Sequence, residues 1–304
     1  MVLTITVNPS IDETWFLDTF DENDINRICR RKAEAGGKGI NISRMLASLG
    51  EDTVAEGFAG GENGRLLRAL LEREGVAFDL VETGINTRRN TTIQVADGHR
   101  TIKVNEAGEK VPLSAESSLF AKLLSTEADV IVVSGKFTPG FDKSSLISCL
   151  LATGKPVIAD SVSLRIDDII RLHPALIKPN IDELAEMLDI EKPAFDMLPS
   201  LCRQLTSRGI GAVAVSMGAD GLFYYDGERS FAADAPCIDV RSTVGAGDCT
   251  VAGFALGMEK HLTSAETLLL AASFGTAMAT TEGTSIPASD TINDIRSRIT
   301  VSEM

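Results

Sequence analysis

The sequence is short of basic residues. It has 29 lysines and arginines against 43 aspartates and glutamates, which gives a formal net charge of −14 at pH 7. A nucleic-acid-binding protein needs a basic surface to neutralise phosphates, so this balance argues against nucleic acid as a partner. It does not exclude a small phosphorylated molecule, because a few cations gathered in one place are enough to hold one.

The sequence also lacks paired cysteines and long apolar runs. Its five cysteines are scattered and include no C-x-x-C pair, which indicates reduced thiols and no zinc site. The first apolar segment, Val2 to Val7, is too short and too β-branched for a signal peptide, and no apolar run is long enough to span a membrane. We therefore expect a cytoplasmic protein that has no membrane partner.

No repeat, low-complexity segment or linker divides the chain, so residues 1–304 are expected to form a single domain. What is present is an alternation of predicted strands and helices. Strand Val54 to Phe58, helix Gly64 to Arg73 and strand Phe78 to Val81 begin it, and the same pattern continues from Val130 to Ile177. Such alternation predicts an α/β fold with a mostly parallel central sheet flanked by helices.

Two parts of the chain, near 12–34 and 90–105, depart from this alternation because their predicted strands have no helix between them. The four strands are Glu13 to Phe20, Asn26 to Ala33, Thr91 to Val95 and Thr101 to Val104, and the last two flank Asp97-Gly98, a hairpin turn signal. Neighbouring parallel strands need a crossover connection, so these segments do not fit the main sheet. We expect them to form a small separate sheet that acts as a lid over a cleft.

The most informative stretch is Thr243 to Gly253, which reads T-V-G-A-G-D-C-T-V-A-G. Gly245 and Gly247 allow a tight turn close to a ligand, and Cys249 to Met258 is predicted to be a helix. A glycine turn that opens a helix presents unpaired N–H groups and suits a phosphate. Asp248 has two interpretations at this point: an ordinary helix cap, or a base that takes a hydroxyl proton during phosphoryl transfer.

Other clusters combine glycine, amide and charged residues near predicted strand ends, where open α/β sheets bind ligands. They are Asn8-Pro9-Ser10-Ile11-Asp12, Gly36-Gly37-Lys38-Gly39-Ile40-Asn41, Thr87-Arg88-Arg89-Asn90, Lys178-Pro179-Asn180-x-x-Glu183 and the glycine turn after Ser216. The first four have structural alternatives: a capped turn, a flexible turn with a solvated lysine, solvated surface arginines and a capping box, respectively. The glycine cluster is not a Walker A loop, because the G-x-x-x-x-G-K-[S/T] spacing is absent.

The motifs follow the order of a known family. N-P-S-x-D, G-G-K-G-x-N, T-R-x-N, S-G, K-P-N-x-x-E, S-x-G-x-x-G and T-V-G-A-G-D together resemble the ribokinase-like, or PfkB, carbohydrate kinases, in the branch that phosphorylates sugar phosphates. The resemblance implies a ribokinase-like fold with a β-sheet lid, and a kinase that uses ATP and Mg²⁺ to convert a ketohexose monophosphate to the bisphosphate. It favours 1-phosphofructokinase activity, fructose 1-phosphate to fructose 1,6-bisphosphate. Tagatose-6-phosphate kinase and 6-phosphofructokinase activities are the alternatives.

The resemblance also implies roles for individual residues. Asp248 would be the catalytic base, and Gly245, Ala246 and Gly247 would form the anion hole. The residues that would bind the sugar phosphate are Asp12, Arg27, Gly37, Lys38, Asn41, Arg88, Asn90 and Lys136. Those that would bind the nucleotide are Lys178, Asn180, Ser216, Gly218, Gly221, Thr243, Gly245 and Gly247, while Asn180 and Glu183 would act on Mg²⁺ through water. Lys136 stands where the family commonly has serine, which leaves the choice of acceptor open.

Two functions other than a kinase are alternatives, and one assembly is expected. A dinucleotide-binding oxidoreductase uses glycine turns too, but the first β–α turn lacks G-x-G-x-x-G and the Gly245 turn lies late in the chain. A non-catalytic sugar-phosphate sensor is the second alternative, and the presence of Asp248, Asn180 and Glu183 argues against it. A lid sheet would expose one apolar face, and the resemblance implies that the lid of a second subunit covers it. We therefore expect a homodimer.

Overall fold

The structure is a computed structural model and describes residues 1–97 and 100–304. In these ranges the chain forms a ten-stranded sheet with helices on both faces and a separate four-stranded sheet. The strands are β1 Val2–Thr6, β2 Ser10–Leu17, β3 Arg30–Gly36, β4 Thr53–Ala59, β5 Ala77–Glu82, β6 Arg88–Val95, β7 Arg100–Asn105, β8 Val130–Ser134, β9 Val157–Asp160, β10 Leu176–Ile177, β11 Ala212–Ser216, β12 Leu222–Tyr225, β13 Ser230–Ala233 and β14 Val301–Glu303. The helices are α1 Lys38–Ser48, α2 Gly61–Arg73, α3 Leu113–Leu124, α4 Lys143–Thr153, α5 Ile166–Leu172, α6 Ile181–Leu188, α7 Leu198–Thr206, α8 Ala246–Glu259, α9 Ser264–Ala279 and α10 Ser289–Arg298.

The large sheet has the order β14-β13-β12-β11-β10-β9-β8-β1-β4-β5. Within this order, the run β11-β10-β9-β8-β1-β4-β5 pairs in parallel throughout. Strands β12, β13 and β14 add an antiparallel edge. Strand order reverses at β1, which lies between β4 and β8. Such a reversal point leaves a crevice at the carboxyl ends of the strands, where open α/β sheets bind ligands.

Both faces of this sheet are buried because its strands are almost continuously apolar. Leu3 and Ile131 point into the core on one face, while Val2 and Val130 point into the core on the other. Helices α8 and α9 cover the second face and are themselves apolar on most sides. Their close approach depends on Gly253, because a Cβ atom there would lie 2.4 Å from the Cα atom of Ala271. The expected α/β fold with a mostly parallel sheet is confirmed.

The four-stranded sheet, which we call the lid sheet, has the order β3-β2-β6-β7 and is built from the two segments that depart from the α/β alternation. Its β2 and β6 strands pair in parallel, and the other pairs are antiparallel. The predicted turn at Asp97-Gly98 falls at the gap between β6 and β7, and Gly98 lies outside the described residues. Because side chains alternate along a strand, the register places Asp12 and Asn90 on one face and Trp15 and Ile93 on the other.

The sequence prediction missed the antiparallel edge of the large sheet. It assigned a glycine turn after Ser216 and no strand beyond it, whereas β12 and β13 follow directly and β14 is formed near the C-terminus. These strands have only three or four residues each, too few to show a clear alternation. In the ranges that the structure describes, no helix has the length and apolar character needed to cross a membrane.

Candidate active site

Asp248 lies in the first turn of α8, at the carboxyl ends of the parallel strands. The preceding Gly245 has φ 81°, a left-handed conformation that favours glycine, and α8 begins there without a side-chain cap. Asp248 is buried, with a relative exposure of 6%. Its carboxylate Oδ2 accepts a hydrogen bond of 2.9 Å from Nδ2 of Asn41, on α1. Because the carboxylate contacts another helix and does not cap α8, the second interpretation of Asp248, a base for proton transfer, is favoured.

The surroundings of Asp248 raise the pKa of its carboxyl to about 6. Burial is the main cause, because it penalises the charged form. The positive charge of Lys38 and the hydrogen bond from Asn41 oppose this effect but do not cancel it. A carboxyl with a pKa near the working pH can both take and release a proton, which is the property that a general base needs.

Asp160, at the end of β9, lies between two lysines. Its Oδ2 accepts a hydrogen bond of 3.1 Å from Nζ of Lys38, and its Oδ1 lies 3.6 Å from Nζ of Lys178. Burial alone would raise the pKa of Asp160, but the two lysines more than offset it and the pKa is lowered. Burial opposes the charge of Lys38 as well, yet Asp160 raises the pKa of that lysine. Asp160 is thus a fixed anion that holds two cations near Asp248.

Asp160 was not among the site residues predicted from the sequence. Its signal was present, however: an acidic residue directly ends the short apolar strand Val157–Asp160, where site residues of an α/β fold are found. Lys178 was expected among the nucleotide-binding residues, and the structure places its ammonium group near the glycine turn. A Cβ atom at Gly247 would lie 3.5 Å from Nζ of Lys178. The N-terminus of α8 and a lysine therefore converge on one place, which suits an anion.

The expected sugar-phosphate residues Asp12, Arg88 and Asn90 form one hydrogen-bonded cluster on the lid sheet. Oδ1 of Asp12 accepts from Nδ2 of Asn90 at 2.8 Å, and Oδ1 of Asn90 accepts from Nη1 of Arg88 at 2.6 Å. Gly36 packs directly against Asp12, since a Cβ atom there would lie 2.3 Å from its carboxyl carbon. Gly37 has φ 119° and is the N-cap of α1. The glycine turn thus brings the lid cluster next to Lys38 and Asn41.

Arg88 is partly buried and its guanidinium group donates to backbone carbonyl oxygens of Asn8 and Glu106. Burial lowers the pKa of Arg88, although Asp12 and Glu106 act in the opposite direction. The negative charges of Asp12 and Glu106 therefore do not fully offset the burial of the guanidinium group. An additional anion next to it would stabilise its charge.

Residues of the predicted nucleotide site gather at the start of α6 and in the turn before β12. Asn180 and Glu183 form a capping box at the start of α6: Oδ1 of Asn180 accepts from the backbone N–H of Glu183 at 2.8 Å, and Oε2 of Glu183 accepts from the backbone N–H of Asn180 at 2.8 Å. The structural alternative for this motif is therefore realised. Ser216 forms a bridge to Asn180, and Gly218 and Gly221 follow in the turn before β12.

A cleft of about 350 Å³ adjoins these residues and is lined by Lys38, Asp160, Lys178 and Glu183 together with residues of α5 and α6. Within residues 1–97 and 100–304, no three His, Cys, Asp or Glu side chains come together as metal ligands. Asp160 and Glu183 nevertheless offer carboxylates to the cleft. This set fits a metal ion that arrives with its own phosphate and water ligands, rather than one bound by the protein alone.

Three predicted site residues are exposed rather than buried with this cluster. Arg27 is exposed in the loop between β2 and β3, Lys136 is exposed after β8, and Thr243 is exposed before α8. Lys136 is still close to the cleft along the chain, because a Cβ atom at the preceding Gly135 would lie 3.5 Å from Cβ of Lys38. Within residues 1–97 and 100–304, no hydrogen bond or ion pair joins the side chain of Arg27 to the cluster.

Comparison with known proteins places these observations in a family. The model of the pfkB family carbohydrate kinases matches residues 6–291. The chain is 31% identical to a tagatose-6-phosphate kinase of Staphylococcus epidermidis over the full length of both, and 31% identical to a 1-phosphofructokinase of Borreliella burgdorferi over 92% of each. The crystal structure of phosphofructokinase-2 from Escherichia coli in complex with substrates and products matches with a TM-score of 0.91 at 26% identity, covering 98% of each chain.

The family match covers every motif on which the resemblance was based, and the expected kinase activity is confirmed at this level. It also rules out the oxidoreductase alternative. On the strength of the family model and of relatives that it matches at 31% identity over nearly all of their length, the chain belongs to the pfkB family of carbohydrate kinases and is an ATP-dependent sugar-phosphate kinase.

Proposed function

We propose that this kinase transfers the γ-phosphoryl group of ATP to a hydroxyl of a ketohexose monophosphate, and that the acceptor is fructose 1-phosphate, giving fructose 1,6-bisphosphate. One observation carries the proposal. A buried carboxyl with a pKa of about 6, Asp248, lies at a helix N-terminus and is hydrogen-bonded to Asn41 on α1. The Gly36-Gly37 turn that opens α1 packs against Asp12 of the polar cluster. A base, an anion site and a polar cluster for the acceptor therefore meet in one place.

In this mechanism Asp248 takes the proton of the attacking hydroxyl as the new oxygen–phosphorus bond forms and the bond from the γ-phosphorus to the bridging oxygen of ATP breaks, which releases ADP. The N–H groups that open α8 at Gly245, Ala246 and Gly247 stabilise the charge on the transferred phosphoryl group. Lys178 adds a positive charge on the same side. Phosphoryl transfer needs mainly positioning and charge stabilisation from the protein, and this arrangement supplies both.

Magnesium enters this scheme as part of the nucleotide substrate. Bound to the ATP phosphates, it neutralises charge that would otherwise repel Asp160 and Glu183. We assign to Asn180 and Glu183 an indirect role through ordered water, because their side-chain oxygens already accept the capping bonds at the start of α6. Both carboxylate and amide oxygens have further lone pairs that a water molecule can use.

The phosphate already present on the acceptor is assigned to Lys38 and Arg88, while Asp12 and Asn41 hold sugar hydroxyls. Lys38 is held by Asp160 at the edge of the cleft, and Arg88 gains from a nearby anion because burial lowers its pKa. Lys136 lies exposed after β8 and is assigned a supporting contact. Arg27 reaches the acceptor only if the loop between β2 and β3 moves towards the cleft, so its contribution is the weakest of the set.

The acceptor is decided by a coupled assay of ADP release with fructose 1-phosphate, tagatose 6-phosphate, fructose 6-phosphate and ribose. The highest kcat/KM is expected for fructose 1-phosphate. Tagatose 6-phosphate is the second candidate, since one of the relatives bears that name. Preference for ribose would contradict the assignment of Lys38 and Arg88. Tight sugar-phosphate binding with no ADP release from any acceptor would instead identify a sensor.

The same proposal includes a homodimer formed through the lid sheet. On the face opposite Asp12, the register aligns Trp15, Ile93 and Ile102, which are apolar and only partly buried. Val104, on the same face, is 58% exposed. An apolar face of this kind is commonly covered by a partner, and a second copy of the lid sheet presents the matching surface.

A further inference from the structure

Arg44 is a buried cation in the middle of α1, with a side chain that is only 3% exposed. Its Nε donates to Glu74 at 2.5 Å and its Nη2 donates to Glu34 at 3.3 Å. An unpaired charge at this depth would be strongly destabilising, so these two carboxylates explain how the arginine is tolerated. They do not explain why an arginine is there, since an apolar residue could pack between α1, α2 and β3 and would need neither carboxylate.

The remaining nitrogen of Arg44 leads towards the active site. Nη1 donates to Oδ1 of Asn41 at 3.3 Å and also lies 3.3 Å from the backbone oxygen of Ala35 and 3.4 Å from Oγ1 of Thr284. A guanidinium group has donors and no acceptor. The amide atom of Asn41 that faces it must therefore be the oxygen, and the amide N–H₂ points the opposite way, onto Oδ2 of Asp248 at 2.9 Å.

We propose that Arg44 is a positioning residue for proton transfer, acting through Asn41 on Asp248; this rests on the proposed role of Asp248 as base. Without Arg44, the orientation of the Asn41 amide would depend on its bond to Asp248 alone, and a rotation by half a turn would present its oxygen to the carboxylate. Two acceptors would then face each other. The arginine makes that rotamer unfavourable, so it keeps a donor on the base and keeps the base in one orientation.

The inference predicts a direction for the pH dependence. A hydrogen bond to the charged form of a carboxyl lowers its pKa, and the bond from Asn41 acts in this way on Asp248. Loss of that bond therefore raises the pKa of the base, and the acid limb of kcat/KM moves to higher pH. The groups that face Asp248 from other elements are Lys38, Asp160 and Lys178, and none of them is altered by a change at Arg44.

Arg44 also connects the base to the lid sheet. Glu34 and Ala35, two of its partners, belong to β3, the strand that runs into the glycine turn at Gly36. Asn41 and Arg44 are one turn apart on the same face of α1. A displacement of β3 would consequently reach Asp248 through two side chains.

The test is a double-mutant cycle between Arg44→Lys and Asn41→Ala. Lysine keeps the positive charge but loses the planar fork that reaches both carboxylates and Asn41 at once. We expect Arg44→Lys alone to lower kcat/KM by about tenfold, to shift the acid limb upwards by about one pH unit and to leave the KM for ATP unchanged. In the Asn41→Ala background the same change should have almost no further effect, because the residue through which Arg44 acts is gone.

A matched control separates positioning from stability. Glu74→Gln removes one of the ionic partners of Arg44 but leaves the contact with Asn41, so it should lower the unfolding temperature without moving the acid limb. If Arg44→Lys does not fold, the pair Arg44→Met with Glu74→Gln removes the buried cation and one of its partner carboxylates together. Lys32 still pairs with Glu34 at 2.9 Å in that variant.

A readout that needs no activity keeps this inference distinct from the proposed function. The side-chain amide signals of Asn41 in NMR spectra, assigned by their loss in Asn41→Ala, should titrate with Asp248 and stop titrating in Asp248→Asn. In Arg44→Lys the midpoint should move to higher pH. Additive effects in the cycle, or an unchanged midpoint, would overturn the role of Arg44 even if the kinase activity is as proposed.

Discussion

Replacing Asp248 by asparagine is expected to have two opposite effects: turnover falls while stability at neutral pH rises. The base is lost, so kcat should drop by roughly 10²- to 10⁴-fold, the usual contribution of acid–base catalysis. The gain in stability follows from burial. Asp248 is buried, and burial raises the pKa of its carboxyl from the ordinary 3.8 to about 6. On the proposed function, this lost stability is the cost of holding a base at a buried position.

The size and sign of the gain follow from proton linkage. The folded chain binds the proton of Asp248 more tightly than the unfolded chain does, so ionisation of this group is harder in the folded state. A difference of about two pKa units at 1.36 kcal/mol each is a destabilisation of about 3 kcal/mol. It is fully present above the folded pKa, shrinks as pH falls from about 6 to about 4, and vanishes where both states are protonated.

Urea unfolding of the parent and of Asp248→Asn at pH 7.5 and at about pH 5 measures this difference. The variant should be more stable at pH 7.5 by up to about 3 kcal/mol and should lose much of that advantage at the lower pH. Asp160→Asn is the matched control. Asp160 is almost equally buried, but the lysines beside it lower its pKa, so its removal should destabilise the protein at pH 7.5. The linkage argument is refuted if Asp248→Asn is less stable than the parent, or if it exceeds the stability of the parent by the same amount at both pH values. Turnover close to that of the parent would refute the role of Asp248 as base.

Three further predictions concern the acceptor and the assembly. Arg88→Ala should raise the KM for sugar phosphate strongly and that for ATP hardly at all, and Arg88→Lys should also be harmful because a lysine cannot replace the guanidinium fork; an unchanged KM in steady-state kinetics would count against this contact. Lys136→Ser should alter the ratio of kcat/KM between fructose 1-phosphate and tagatose 6-phosphate, and an identical ratio would show that this lysine does not select the acceptor. Light scattering should give a dimeric mass for the parent and a monomeric mass for Ile102→Glu on the apolar lid face, with Thr101→Glu on the other face as the control; a monomeric parent would exclude the lid dimer.

The fold was predictable where the sequence pattern is long and regular. The alternation from Val54 to Ile177 gave the parallel sheet, and the absence of crossover helices near 12–34 and 90–105 gave the lid sheet. The parallel pairing of β2 with β6 could not be predicted, because it depends on how two distant segments meet and not on either segment alone. The short strands β12 to β14 were missed for a related reason: they are stabilised by pairing with neighbours rather than by their own pattern.

The site was predictable where a motif carries its own chemistry. Asp248 follows a glycine turn that opens a helix, and both features are visible in the sequence. Arg44 was not identified, because it is an ordinary charged residue within a helix and only tertiary contacts show what it holds. Asp160 was also missed, although its position at the end of an apolar strand was a signal; the two lysines that it holds are seen only in the structure. Arg27 was expected to bind substrate, and the structure leaves it exposed in a loop. Such a residue is placed by loop conformation, on which strand and helix patterns give no information.

The polar residues of the candidate site are divided between two sheets, so the length of the acceptor decides whether it can contact both sets. Asp12, Arg88 and Asn90 belong to the lid sheet, whereas Asp248 belongs to α8, which packs on the large sheet. On the proposed function, a molecule held by both must span from one sheet to the other. A sugar that is too short leaves one set of contacts unmade, and one that is too long keeps the reactive hydroxyl away from the base. Small changes in how the lid sheet sits would thus retune which sugars react, with every catalytic side chain left as it is.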